Sequence, residues 1–319
     1  MPITISGGVQ LSGPVLLDPT GGSGGGGGAS LQGSNFGYTS GGEGDGVPYS
    51  NVIDKYSFSS NGNATDVADV GYSINNHGSH SSSTSGYIAG GSGPVAPGIN
   101  ATISKFTFST DSNSSSVSNL NEARIECGSC SSFDNGYVWG GRNPIKNSIE
   151  KFNFASDGNG SDVGDLLRTR MWMAGGQNST THGYVSGGTQ DPPYLAEIEK
   201  FPFASDSNST AVGDITNAEA FQTGQSSTTH GYVSGGNSPG SIIDKFAFAS
   251  DGNATRVGTL SDKQSSAAGT SSTENGYIAG ATSGSGASQI NNFSFASDGN
   301  ASAVGSLSQS RGHCRGHQY

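Results

Sequence analysis

The chain has 319 residues, 53 of them glycine, with 31% hydrophobic and 12% charged residues and a formal net charge of −11. That acidic balance argues against the surplus of Lys and Arg on one face needed to neutralise phosphates, so nucleic acid is not an expected partner. No apolar run reaches the ~20 residues of a membrane-spanning helix, the 3 cysteines are too few for a disulfide scaffold, and the wealth of Gly, Ser, Asn and Thr speaks against long helices.

Residues 1–20 read as an extended arm. Ile3 and Ile5, then Val9 and Leu11, alternate with polar residues, and Val15, Leu16 and Leu17 follow. The first ten residues lack the basic start and apolar stretch of a secretory signal. Residues 21–30 are nearly pure glycine, the composition of a flexible linker. Exposed Ile, Val and Leu on a tether are a liability unless covered. The arm is therefore read as an anchor that adds a strand to a partner; a disordered terminus is the alternative.

Residues 31–319 carry an internal repeat, which decides the fold. A Gly-Tyr pair recurs at Tyr38, Tyr87, Tyr137, Tyr184, Tyr232 and Tyr277, at intervals of 49, 50, 47, 48 and 45 residues. An aromatic-x-Phe triplet follows each pair and ends at Phe58, Phe108, Phe154, Phe203, Phe248 and Phe295. Each repeat reads as four short strands, A to D; in the fifth these are 220–226, 231–236, 242–249 and 254–260. Asn135-Gly136 and Asn275-Gly276 suit tight A–B hairpin turns, and His182 and His230 stand at the same place, where a positive φ is expected. Four-stranded units of this size bury their faces by packing radially, which predicts an all-β, six-bladed β-propeller. The first repeat lacks a strand A, and the tail, Ser308 to Tyr319, is in position to supply it and close the ring.

The search for chemistry finds no catalytic set. The acidic residues Asp54, Glu150, Glu199 and Asp244 recur before a lysine, so they serve each blade through an ion pair or hydrogen bond between blades rather than one active site. The Asp-x-Asn tips at Asp111, Asp157, Asp206, Asp251 and Asp298 hold one carboxylate each, which reads as a hairpin tip rather than a calcium loop. Aligning the repeats on the apolar end of strand D puts His77, Cys127 and Cys314 at one position of strand A and His80, Cys130 and His317 at another. These blades are neighbours and strand A lines the channel, so the six are a candidate zinc or iron set. Against this, residues three apart on a strand point to opposite faces. No other cofactor is expected. The C–D tips are nearly identical between repeats, whereas the B–C loops differ. Recognition draws on such loops, and Pro48, Tyr49, Arg142, Asn143, Pro192, Pro193 and Tyr194 mark the expected contact face, the alternative being loops that merely vary.

The glycine pair after an aromatic strand, followed by Ile-Asp/Glu-Lys-Phe-x-Phe, resembles kelch repeats; it stands here as Gly183 to Gly188 with Ile198 to Phe203, and as Gly231 to Gly236 with Ile243 to Phe248. The tryptophan of many kelch strands is replaced by Val163, Val212, Val257 or Val304. The phrase Phe248 to Thr255, repeated at Phe295 to Ser302, resembles kelch-like repeat proteins of tailed bacteriophages, especially those of marine cyanobacteria, and Ile3 to Gly8 resembles the starts of phage structural proteins. The resemblance implies a non-enzymatic virion component such as a fibre, appendage or decoration. Its arm would bind other virion proteins, its propeller would face a host surface glycan or protein, and it would be made in the host cytoplasm. A carbohydrate-binding lectin or adhesin outside a virion is the alternative, and a propeller enzyme the third reading.

Overall fold

A computed structural model describes residues 31–44, 46–94, 98–282 and 284–319. The anchor residues Ile3, Ile5, Val9, Leu11, Val15, Leu16 and Leu17, and the linker, lie outside the described residues. The described chain forms six antiparallel sheets in a ring, a six-bladed β-propeller. Blade 1 holds Phe36–Ser40, Ser50–Ser57 and Thr65–Ile74, and takes Arg315–Gln318 from the C-terminus as its innermost strand. The tail thus closes the ring as expected. In blade 5, taken as the template, the strands are Gln222–Ser226, His230–Gly235, Ile242–Ala247 and Thr255–Thr259.

Blade 4 departs from the pattern. Its outer strands are His182–Ser186, Glu197–Pro202 and Thr210–Asp214, but its innermost segment makes only isolated bridges at Met171, Ala174 and Asn178. Gly175 and Gly176 interrupt it, and Gly176 has φ 93°. A glycine pair in a strand favours such a break because it adds backbone freedom and no packing.

The two repeating aromatic signals form the joint between blades. Each strand-B tyrosine stacks on the triplet of the next blade: Tyr38 on Phe108 with centroids 4.9 Å apart, Tyr137 on Phe203 at 4.9 Å, and, across the closure, Tyr277 on Phe58 at 4.7 Å. Such pairs contribute about 0.5–1.5 kcal/mol beyond burial. The glycine before each tyrosine has its own cause: a Cβ on Gly231 would run into the Phe246 ring of the same blade. Each hydrophobic cluster spans two neighbouring blades, as Tyr38, Ile53 and Val70 do with Ile88, Phe106 and Phe108.

The recurring acids of strand C are buried and tie the blade to the linker that enters it. Glu150 accepts from Arg124 and from the N–H of Asn121; Glu199 accepts from Arg170 and Leu167; Asp54 accepts from Arg311 and from the N–H of Ser308 at 3.0 Å. The A–B turns differ from expectation. Asn135, Asn275, His182 and His230 begin strand B and are absent from the residues of positive φ among those described. A serine makes the turn instead: Ser227 Oγ accepts the N–H of His230 at 3.0 Å, and Ser132 that of Asn135 at 3.0 Å. A side chain that closes the turn removes the need for a left-handed residue.

Candidate functional site

The two ends of the channel are built differently. At the end carrying the A–B turns and C–D tips, the side chains repeat. Asp111, Asp157, Asp206, Asp251 and Asp298 each pair with a strand-C lysine of the preceding blade, as Lys245 does with Asp298 at 3.0 Å. Two residues on, each tip asparagine accepts a strand-D N–H of that same neighbour; Asn253 takes Asp214 at 3.0 Å and Asn63 takes Ser306 at 3.1 Å across the closure. The Asp-x-Asn phrase is a clasp between blades, and its carboxylates are spent on lysines.

The inner strands meet along the same wall. Their channel-facing N–H groups are covered by small polar side chains of the next blade: Gln318 N–H on Ser81 Oγ, Ser81 N–H on Ser131 Oγ, Asn178 N–H on Ser226 Oγ, Ser226 N–H on Ser271 Oγ and Ser271 N–H on Gln318 Oε1. Unpaired strand edges are costly when left bare, which explains the serine-rich strand A. The described chain begins across this end. Gln318 donates to the carbonyl of Leu31, Gly33 N–H donates to Ser271, and Leu31 lines the channel.

At the opposite end, with the B–C and D–A loops, the repeating joint is made by backbone. Asn76 N–H donates to the carbonyl of His313 at 3.0 Å, Glu126 to Asn76 at 2.9 Å, Trp172 to Glu126 at 3.0 Å, Phe221 to Trp172 at 2.9 Å, Ser266 to Phe221 at 2.9 Å and His313 to Ser266 at 2.7 Å. The six bonds close on themselves around the channel mouth. All six residues have positive φ, between 51° and 65°, a conformation that costs a side-chain-bearing residue about 1–2 kcal/mol. The ring thus brings an amide, a carboxylate, an indole, a phenyl, a hydroxyl and an imidazole to one place, one from each blade.

The chemistry concentrates over blades 3 to 5. The Trp172 and Phe221 rings lie 4.3 Å apart at 31°, and the Arg142 guanidinium sits 5.5 Å from the Trp172 ring centre. Arg142 Nε is 3.3 Å from Glu126 Oε2. Burial pushes the Glu126 carboxyl up to about 7, against the pull of Arg142. Trp172 Nε1 is buried with no hydrogen-bond partner, a donor without its acceptor. Tyr194, 47% exposed, holds the side chain of Asn237 through its hydroxyl at 3.1 Å, and the Asn237 N–H bonds the carbonyl of Ala220, beside Phe221. On the other side of the mouth, His313 Nε2 lies 3.4 Å from Glu43 Oε1, and burial holds His313 down at about 4.

Of the residues expected on the contact face, Arg142 joins this cluster directly and Tyr194 borders it through Asn237. Pro48, Asn143, Pro192 and Pro193 are exposed in the surrounding loops, and Tyr49 is half-buried. The ring residues themselves were not anticipated. Each stands immediately before the aligned column of His77, Cys127 and Cys314, and the positive φ of this position was the missing signal.

The six His and Cys of that alignment are all buried, but among the described residues no group of three or more His, Cys, Asp or Glu is placed to hold a metal ion. They face backbone instead. His317 Nδ1 is 3.0 Å from the carbonyl of His80, and His80 Nδ1 is 2.9 Å from that of Cys130. Ser40 Oγ bridges His77 Nε2 at 3.0 Å and His317 Nε2 at 2.8 Å. With His317 donating through Nδ1, its Nε2 accepts from Ser40, and Ser40 accepts from His77. This Ser-His chain is sealed: Ser40 and His77 are 0% exposed. Burial raises the thiols of Cys127, Cys130 and Cys314, which keeps them protonated.

Among the described residues no helix is long and apolar enough to cross a membrane. No protein-family model matches the chain, and no curated protein matches it significantly.

Proposed function

We propose that the chain is a non-enzymatic binding part of a bacteriophage virion, tethered through its N-terminal arm and recognising its partner with the channel-mouth face. One observation carries the reading of the face. The tip end repeats one clasp, whereas the mouth presents six different side chains on a rigid backbone ring. Recognition needs such asymmetry, and rigid aromatic and Arg anchors supply binding energy with little entropy loss. The polarity of the disc agrees with a tether: the described chain enters at Leu31 by the tip end, opposite the mouth. The virion setting rests on the resemblance of the repeat phrases.

A carbohydrate is the second reading for the partner. The half-buried Trp172–Phe221 pair offers an apolar platform, with Glu126, Arg142 and the unpaired indole N–H at its edge. The protein on a glycan array, alongside Trp172→Ala, tests the face: binding is expected to fall at least tenfold with the unfolding midpoint nearly kept, and unchanged binding removes the mouth from the account. Mass spectrometry of purified particles tests the setting. Its absence from particles, with glycan binding intact, leaves the lectin reading.

A further inference from the structure

The channel between the backbone ring and the serine ring holds a cavity of about 70 Å³, lined by Ser79, Ser129, Thr223 and Arg315 among others, with Leu31 at the tip end. Part of its wall is bare backbone, because a Cβ on Gly224, Gly269 or Gly316 would strike backbone of the adjacent blade. Into this space the closing strand places the guanidinium of Arg315.

Arg315 is part-buried, and the protein treats its three fully buried guanidiniums differently. Arg124, Arg170 and Arg311 are each paired with a buried carboxylate, Glu150, Glu199 and Asp54. Arg315 donates one bond, from Nη1 to the carbonyl of Cys314 at 3.1 Å, and among the described residues no carboxylate lies within 4.0 Å of it. Its surroundings do not neutralise it. The thiols of Cys127 and Cys314 are pushed up by burial, and His77 is held well below its ordinary value, so all three are neutral. The Glu126 carboxylate acts on it at longer range, but Glu126 has Arg142 as its own partner at 3.3 Å, and burial raises it to about 7. A guanidinium carries five donors in a planar fork and stays charged. A cation removed from bulk water without a counter-charge is strongly unfavourable. Another donor lines the same cavity: Ser129 Oγ accepts the N–H of Ser79 at 3.0 Å, which leaves its own proton to give.

We infer that the central channel is a binding site for one small anion, an oxyanion such as phosphate, sulfate or a carboxylate, held by the fork of Arg315, with the Ser129 hydroxyl as a donor from the same cavity wall. The planar fork favours two parallel oxygens over a spherical halide. The site lies in the channel rather than in the mouth cluster, although Arg315 acts on Glu126 and His313 of that cluster.

The test is thermal unfolding of the full-length chain at fixed pH and ionic strength, titrated with sulfate, phosphate, acetate or chloride against a bulky organic sulfonate. An anion that binds only the folded state raises the midpoint with the logarithm of its concentration. The expected result is a rise of several degrees for the oxyanions, little for chloride, a weaker rise for Arg315→Lys and none beyond the general salt effect for Arg315→Met. Equal responses of the native chain and Arg315→Met overturn the site. Should Arg315→Met fail to fold, calorimetric titration of the native chain with acetate and sulfate decides: saturable binding of one anion per chain supports the site, and no heat of binding overturns it.

Discussion

The tip end and the mouth of this propeller solve the same problem, joining six blades, by opposite means. At the tips the joint is made by side chains, so the sequence must repeat: an Asp for the neighbour's lysine and an Asn for the neighbour's strand-D N–H. At the mouth the joint is made by backbone N–H and carbonyl groups, so the side chains are released from the work of assembly. Asn76, Glu126, Trp172, Phe221, Ser266 and His313 have nothing in common but their φ. Where the main chain carries a joint, side chains are free to serve recognition.

The largest disruption touches both ends at once. Removing the last ten residues takes away His313, which holds two bonds of the mouth ring, and the strand Arg315–Gln318. Loss of the cooperative unfolding transition is expected, with association through the bared edge of Tyr38, read by circular dichroism and light scattering. A truncated chain that melts as the full one does would show that neither end needs closure.

Next comes the wall between the ends. His80 and His317 are buried and held down at about 3 and about 4, first of all by desolvation. Because the folded state binds fewer protons than the unfolded one in this range, stability is full above about 6.5 and is lost as pH falls toward 4. The equivalent positions in blades 4 and 5 are Gln177 and Gln225, whose amides donate to carbonyls of the next blade. His80→Gln with His317→Gln should therefore flatten the dependence of the unfolding midpoint on pH below 6.5. An unchanged acid slope would place the acid sensitivity elsewhere.

A smaller effect is expected at the rim. Asp251→Ala with Asn253→Ala removes one clasp out of several. The ion pair to Lys200 is half exposed and contributes under about 1 kcal/mol, and the Asn253 bond contributes about 1 kcal/mol. Denaturant unfolding should report a loss of about 1–2 kcal/mol. A loss several times larger would mean that the clasps act as one unit.

The smallest effect is expected in the mouth ring. Ser266 has φ 57° and a buried hydroxyl with no partner. Ser266→Gly relieves the left-handed strain and adds unfolded-state freedom, opposing terms of similar size. A change within about 1 kcal/mol is expected, and a strong destabilisation would show that ring side chains do serve assembly.

Most of the architecture was legible because it repeats. The spacing of Tyr38 to Tyr277 fixed the blade count, and the missing first strand A pointed to the tail. The turn at Asn135-Gly136 was misplaced because a hydroxyl three residues earlier, on Ser132, closes it. The irregular inner segment of blade 4 was hidden behind the intact Gly183-Tyr184 signal. The mouth cluster was legible only at its edge, through Arg142 and Tyr194. Its centre is set by a backbone torsion, and six unlike side chains leave no pattern for spacing to reveal.

The six mouth bonds run head to tail in a closed circle. Each peptide carries a dipole of about 3.5 D; stacked along a helix axis these add to a charge at either end. Laid around a loop they point along its circumference and cancel. The six bonds of this ring therefore present no pole of their own, and the field an approaching molecule meets is set by side chains, Glu126, Arg142, Glu43 and the channel's Arg315 among them.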